Sequence, residues 1–210
     1  MNLADLSVRA FVQELASEQP APGGGSVAAL AGSLAAALCA MVARLTVGRK
    51  NQEKDWPAMA SVRDQAEMLK TELLELVDAD TEAYNQVTAA YRLPKWNEEE
   101  NSRLKAAIQS ALQEAAQVPL KTLKALSRMP ELARQAVEVG NPNCLTDAGV
   151  ALQLIRAGAF GAAYNVRINA AALKDRKEAE TLLTETETAL QQIKKEAERL
   201  ERVVETKLGN

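Results

Sequence analysis

Apolar residues return at three- and four-residue spacing along almost the whole chain, and no alternation of Val, Ile and Thr runs long enough for a strand. The pattern predicts an all-α chain. A first helix is expected over residues 3–17, ending before the loop at residues 20–25. Gly25 or Ser26 should open a long helix to about residue 47, with Ser26 as its N-cap and Gly48 closing it. Trp56-Pro57 suits a helix start and the periodicity then runs to about Tyr91. Asn97-Glu98-Glu99-Glu100 has capping-box spacing before another long helix, which Pro119 should kink or break. Pro130 opens a short helix that Gly140 stops, a small-residue-rich helix spans residues 146–173, and a Glu- and Lys-dense one spans residues 175–208. No internal repeat stands out, so residues 1–210 are read as a single-domain bundle of long helices.

Composition sharpens this picture. Hydrophobic residues make up 47% of the sequence but aromatics only 3%, so the core must be built from Ala, Leu and Val in closely packed helices. Residues 27–43 carry no charge, at the short end of what spans a bilayer, but the segment is Ala-rich with Arg44 close behind. A buried helix of a soluble protein is expected, with no membrane partner. A net charge of -3 without a long Lys/Arg block argues against a nucleic-acid partner. Cys39 and Cys144 show no CxxC spacing and no secretory signal pattern precedes them, so a cytoplasmic location with free thiols is expected. Histidine is absent, which removes the commonest general base and zinc ligand. Proton transfer here falls to Asp, Glu, Lys, Tyr or water.

Several residues carry candidate chemistry. The helix after Ser26 (Ala28, Ala29, Gly32, Ser33, Ala36) and the helix after Thr146 (Gly149, Ala157, Gly158, Gly161, Ala162) both present small faces that let a neighbour come close. Gly23, Gly24 and Gly25 either supply positive φ to a sharp turn or expose N–H donors at a helix N-terminus to an anion or carbonyl. A nucleotide site is disfavoured, because the Lys-Ser/Thr ending of a phosphate loop and its preceding strand are missing. Asn165 and Asn169, four apart, project from one helix face; they serve either inter-helix hydrogen bonds or a polar ring. Asp147 sits at a helix start, as a first-turn acid or a functional carboxylate, and Asp78 and Asp80 interrupt an otherwise apolar helix.

These residues together resemble the cyclodeaminase domain of formimidoyltransferase-cyclodeaminase and its stand-alone relatives, which include bacterial methenyltetrahydrofolate cyclohydrolases. The segments that carry the resemblance are APGGGSVAALAGSLAAALCAMVARLTVGRK (residues 21–50), AYRLPK (90–95), AAQVPL (115–120), NPNCLTDAGVAL (141–152) and NVRINAAALKD (165–175). One departure is Lys50-Asn51-Gln52, where the family pattern carries a further lysine and a tyrosine; nothing resembles the transferase half.

The resemblance implies a homodimeric helical bundle that binds tetrahydrofolate derivatives near the subunit interface, with no metal or permanently bound cofactor. It implies chemistry at the carbon between N5 and N10: hydrolysis of 5,10-methenyltetrahydrofolate to 10-formyltetrahydrofolate, or ammonia-releasing ring closure of the 5-formimino compound. Carried onto this chain, Asp147 is the first choice for the acid/base carboxylate and Asp80 the reserve. Asn165 and Asn169 would hydrogen-bond the pterin or the one-carbon group; Gly23, Gly24, Gly25 and Ser26 would line the pocket; Arg49, Lys50 and Lys95 would meet the glutamate tail. The lack of a transferase half favours the hydrolase. A reading from another class is a non-catalytic helical scaffold.

Overall fold

The computed structural model describes residues 2–209, and among them every regular element is helical. A short 3-10 turn, Leu3–Asp5, precedes α1 (Val8–Leu15), so the first helix is shorter than the 3–17 expected. The long helices follow as α2 (Gly24–Thr46), α3 (Trp56–Tyr91) and α4 (Glu98–Ser127). Then come α5 (Met129–Val139), α6 (Leu145–Ala171) and α7 (Arg176–Leu208). The Asn97 cap read from the sequence is in place, its carboxamide accepting from Glu100 N–H at 2.8 Å, and Asp175 caps α7 by accepting from Lys177 and Glu178 N–H.

Two expectations are corrected. Helix α2 begins at Gly24 with Gly23 as an N-cap that has no side chain to offer, so Ser26 lies inside the first turn and does not cap. Pro119 does not break its helix, which runs through it from Glu98 to Ser127. A proline there removes the N–H that would bond the carbonyl of Ala115, four residues back. That carbonyl instead accepts 2.7 Å from the Asn169 Nδ2 of α6, so a neighbouring helix replaces the missing donor.

Helix α2 is the axis of the bundle, packed most closely on α3 and α6, with α4 and α7 closing the far side of α6. Its inward side is made of Ala29, Ala35, Ala36, Cys39, Ala40 and Ala43, all fully buried. Small side chains bring the axes together until backbone meets backbone. A Cβ on Gly158 of α6 would lie 2.9 Å from the carbonyl oxygen of Ala28 on α2, so only glycine fits. By length and composition α2 could cross a membrane, but 61% of its most apolar stretch is buried inside this bundle, as befits a core helix.

The rest of α2 is an apolar stripe at alternating four- and three-residue steps, Val27, Ala31, Leu34, Leu38, Met41 and Leu45, each at least partly exposed. Helix α6 carries a parallel stripe with the same steps, Val150, Leu154, Ala157, Gly161, Tyr164 and Ile168. Leu34 and Ile168 are 49% and 69% exposed, so this two-helix face is not covered by the chain itself.

Candidate active site

A cleft of about 270 Å³ opens where the N-terminus of α2 meets α3, α4 and α6. The loop before α2 and its first turn supply Gly23, Gly24 and Gly25; α3 supplies Asp80 and Tyr84; α4 supplies Leu112 and Ala115; α6 supplies Asn165 and Asn169. A larger and more open groove between α6 and α7 is lined by Glu198, Glu201, Arg202 and Glu205, a charged surface without comparable convergence.

Asp80 is the centre of the cleft. A Cβ placed on Gly25 would fall 2.0 Å from the Asp80 Oδ1, so the glycine is there to let the carboxylate sit against the first turn of α2. None of the three consecutive glycines has positive φ, and close approach rather than turn geometry is what the structure asks of Gly25. Burial pushes the Asp80 carboxyl above the ordinary aspartate range, while the Ser26 hydroxyl and backbone N–H pull it back.

The Ser26 Oγ lies 2.9 Å from the Val77 carbonyl, 3.0 Å from Asp80 Oδ2 and 3.2 Å from Thr81 Oγ1. It has one proton to give. When Asp80 is ionised the hydroxyl turns toward it; when Asp80 is protonated, Ser26 donates to Val77 and accepts from the acid. The hydroxyl can therefore partner both protonation states of the carboxyl.

The asparagines line the cleft, each with one N–H of its carboxamide engaged. Asn165 Nδ2 donates to the Gly161 carbonyl at 2.9 Å and Asn169 Nδ2 to Ala115 at 2.7 Å. Asn169 thus makes the inter-helix hydrogen bond and also lines the cleft, whereas Asn165 bonds within its own helix.

The other sequence candidates lie elsewhere. Asp147 is at the start of α6, eighteen residues before Asn165 and so about 27 Å away along the helix. It neighbours Cys144, near Arg49, whose guanidinium donates to the Asn141 carboxamide. Lys50 and Lys95 are exposed in the loops after α2 and α3, and none of the three cations lines the cleft. Asp78 accepts from Leu3 N–H at 2.5 Å, which ties down the N-terminal turn. Tyr84, Leu112 and Ala115 were not legible as lining residues, because in sequence they are ordinary members of helix faces. Both cysteines are free and buried, and burial lifts the Cys39 thiol to about 12.

An all-helical bundle that brings a partly buried carboxyl, a hydroxyl and two carboxamides to a helix N-terminus offers groups that can move a proton and hydrogen-bond a small polar ring. The sequence pattern of the family described as Formiminotransferase-cyclodeaminase matches residues 7–188, and the chain belongs to that family. It is 38% identical to methenyltetrahydrofolate cyclohydrolase of Methylorubrum extorquens, over 97% of this chain and 98% of that one. It is 39% identical to the formimidoyltransferase-cyclodeaminase of Rattus norvegicus over 83% of this chain but only 32% of that protein, so it spans about a third of that longer relative. A crystal structure of formiminotetrahydrofolate cyclodeaminase from Thermotoga maritima superposes with a TM-score of 0.87 at 30% identity, covering 98% of both chains.

Proposed function

We propose that the chain hydrolyses 5,10-methenyltetrahydrofolate to 10-formyltetrahydrofolate. The observation that carries this reading is the match, end to end, with the Methylorubrum cyclohydrolase. The second reading, ammonia-releasing cyclisation of 5-formiminotetrahydrofolate, is favoured by the Thermotoga structure, which is matched equally fully. Because a relative of this same length carries each name, length does not separate the two.

The cleft is at the small end of ligand pockets and suits a bicyclic pterin head, leaving the tail outside. In the hydrolysis, water adds to the cationic amidinium carbon and Asp80 takes the proton that water loses. The tetrahedral carbon then releases N5, which receives that proton, while the remaining hydroxyl proton passes to solvent and the carbon stays on N10 as a formyl group. The N–H groups of Gly24 and Gly25 at the start of α2 stabilise the oxygen that was water. A carboxyl raised by burial is matched to giving and taking one proton in this way. Asp80 is assigned the task ahead of Asp147 because it shares the cleft with Gly23, Gly24, Gly25, Asn165 and Asn169. Neither metal nor nucleotide is needed for these steps.

The chain is proposed to act in the cytoplasm as a homodimer joined through the exposed stripes of α2 and α6. Val27 and Tyr164 place the end of that face beside Gly25 and Asn165, so a partner would flank the cleft and supply the cations its lining lacks for a glutamate tail.

The test measures loss of the methenyl chromophore and, in parallel, ammonia release from the 5-formimino compound, using wild type and Asp80→Asn. Accelerated chromophore loss that the variant abolishes supports the hydrolase. Ammonia release alone selects the cyclase, and silence in both leaves the scaffold reading.

A further inference from the structure

The two asparagines are oriented by carbonyls of the protein, and one of those carbonyls has lost its helical N–H partner to a proline. Asn169 Nδ2 faces the Ala115 carbonyl at 2.7 Å and Asn165 Nδ2 faces that of Gly161 at 2.9 Å. A carbonyl oxygen accepts only from the NH2 side of a carboxamide, so both amides are fixed with Oδ1 turned away from those partners. Neither Oδ1 accepts a hydrogen bond among the described residues, and both residues line the cleft. In an uninterrupted helix the Ala115 carbonyl would be taken by the N–H of residue 119, but residue 119 is proline.

We infer that Pro119 is a positioning residue: by withholding its backbone donor it leaves the Ala115 carbonyl to anchor Asn169, whose Oδ1 then accepts from an N–H of the substrate's bicyclic ring. This deepens the folate reading above and rests on it. It gives the proline, which lies behind the cleft wall, a task in recognition.

Pro119→Ala returns an N–H to α4 that competes for the Ala115 carbonyl and releases the Asn169 amide. Removing proline from a helix interior does not itself weaken the helix. Pro119→Ala is therefore expected to keep or raise Tm while KM for the methenyl substrate rises about five- to tenfold, the value of one well-placed hydrogen bond, with kcat changed less than about twofold. Asn169→Ala alone should lower Tm, because it strands the Ala115 carbonyl. Adding Pro119→Ala to it should restore Tm without restoring KM, an outcome that a purely structural asparagine would not give.

In the free protein, the side-chain amide signals of Asn169 in a 15N-labelled sample should shift and exchange faster in Pro119→Ala. An active wild type whose KM is untouched by Pro119→Ala overturns the inference, as does an Asn169 amide signal that does not move. An inactive wild type instead overturns the folate reading and the ligand half of the inference with it, while the amide signal still decides the anchoring half.

Discussion

Asp80 sits in a cleft wall where its charge is costly, and the effect on stability has a definite sign. Burial raises its folded-state pKa, so the fold binds this proton more tightly than the unfolded chain does. The stabilisation is fully present below the unfolded pKa and is lost as pH rises through the folded one. Asp80→Asn is therefore expected to melt higher than wild type at neutral pH, with the gap closing as pH falls through the folded pKa. The same variant should lose about a thousandfold in kcat, the usual loss for a general acid/base. Thermal melts across pH beside turnover check both; a variant that melts lower at neutral pH would show that the carboxylate is a structural hydrogen-bond partner of Ser26. Gly25→Ala should also abolish turnover, because its Cβ would occupy the position of Asp80 Oδ1.

At the scale of elements, the sequence marks the seven α-helices found among the described residues, since each has an apolar period. It misplaces the effect of Pro119 because helix rules weigh the donor a proline removes, and only the neighbouring α6 shows that Asn169 supplies another. The glycines of α6 differ in a way no sequence rule separates. Gly158 faces the Ala28 backbone oxygen at 2.9 Å, whereas Gly149 faces only a methyl of Val204 at 3.3 Å. Gly158→Ala is expected to destabilise by about 1–3 kcal/mol through forced separation of α2 and α6, and Gly149→Ala to cost less. Chemical denaturation of the two variants measures the difference; equal costs would mean that α2 and α6 have slack.

At the scale of the molecule, the unspent apolar surface is the two-helix stripe. Leu34 and Ile168 lie on it and are half exposed or more. A charge in the middle of a dimer seam is costly to bury. Light scattering should give a particle of twice the 22.6 kDa chain mass for wild type and one chain mass for Leu34→Glu. A wild type of one chain mass would remove the dimer and the tail-binding cations drawn from it.

The sequence by itself determined the class of fold, because helical periodicity, scarce aromatics and small-faced helices are local properties written residue by residue. It also determined the family, through motifs spread over nearly the whole chain, and named the glycines, Ser26 and both asparagines as one candidate site. Which carboxylate joins them was decided only by tertiary structure. Asp147 shares a helix with Asn165, yet a rigid rod keeps its two ends apart, while Asp80 arrives from another helix across a gap that glycine leaves open. The use of Pro119 was likewise settled in three dimensions, since a missing hydrogen bond is a property of one helix and its replacement a property of two.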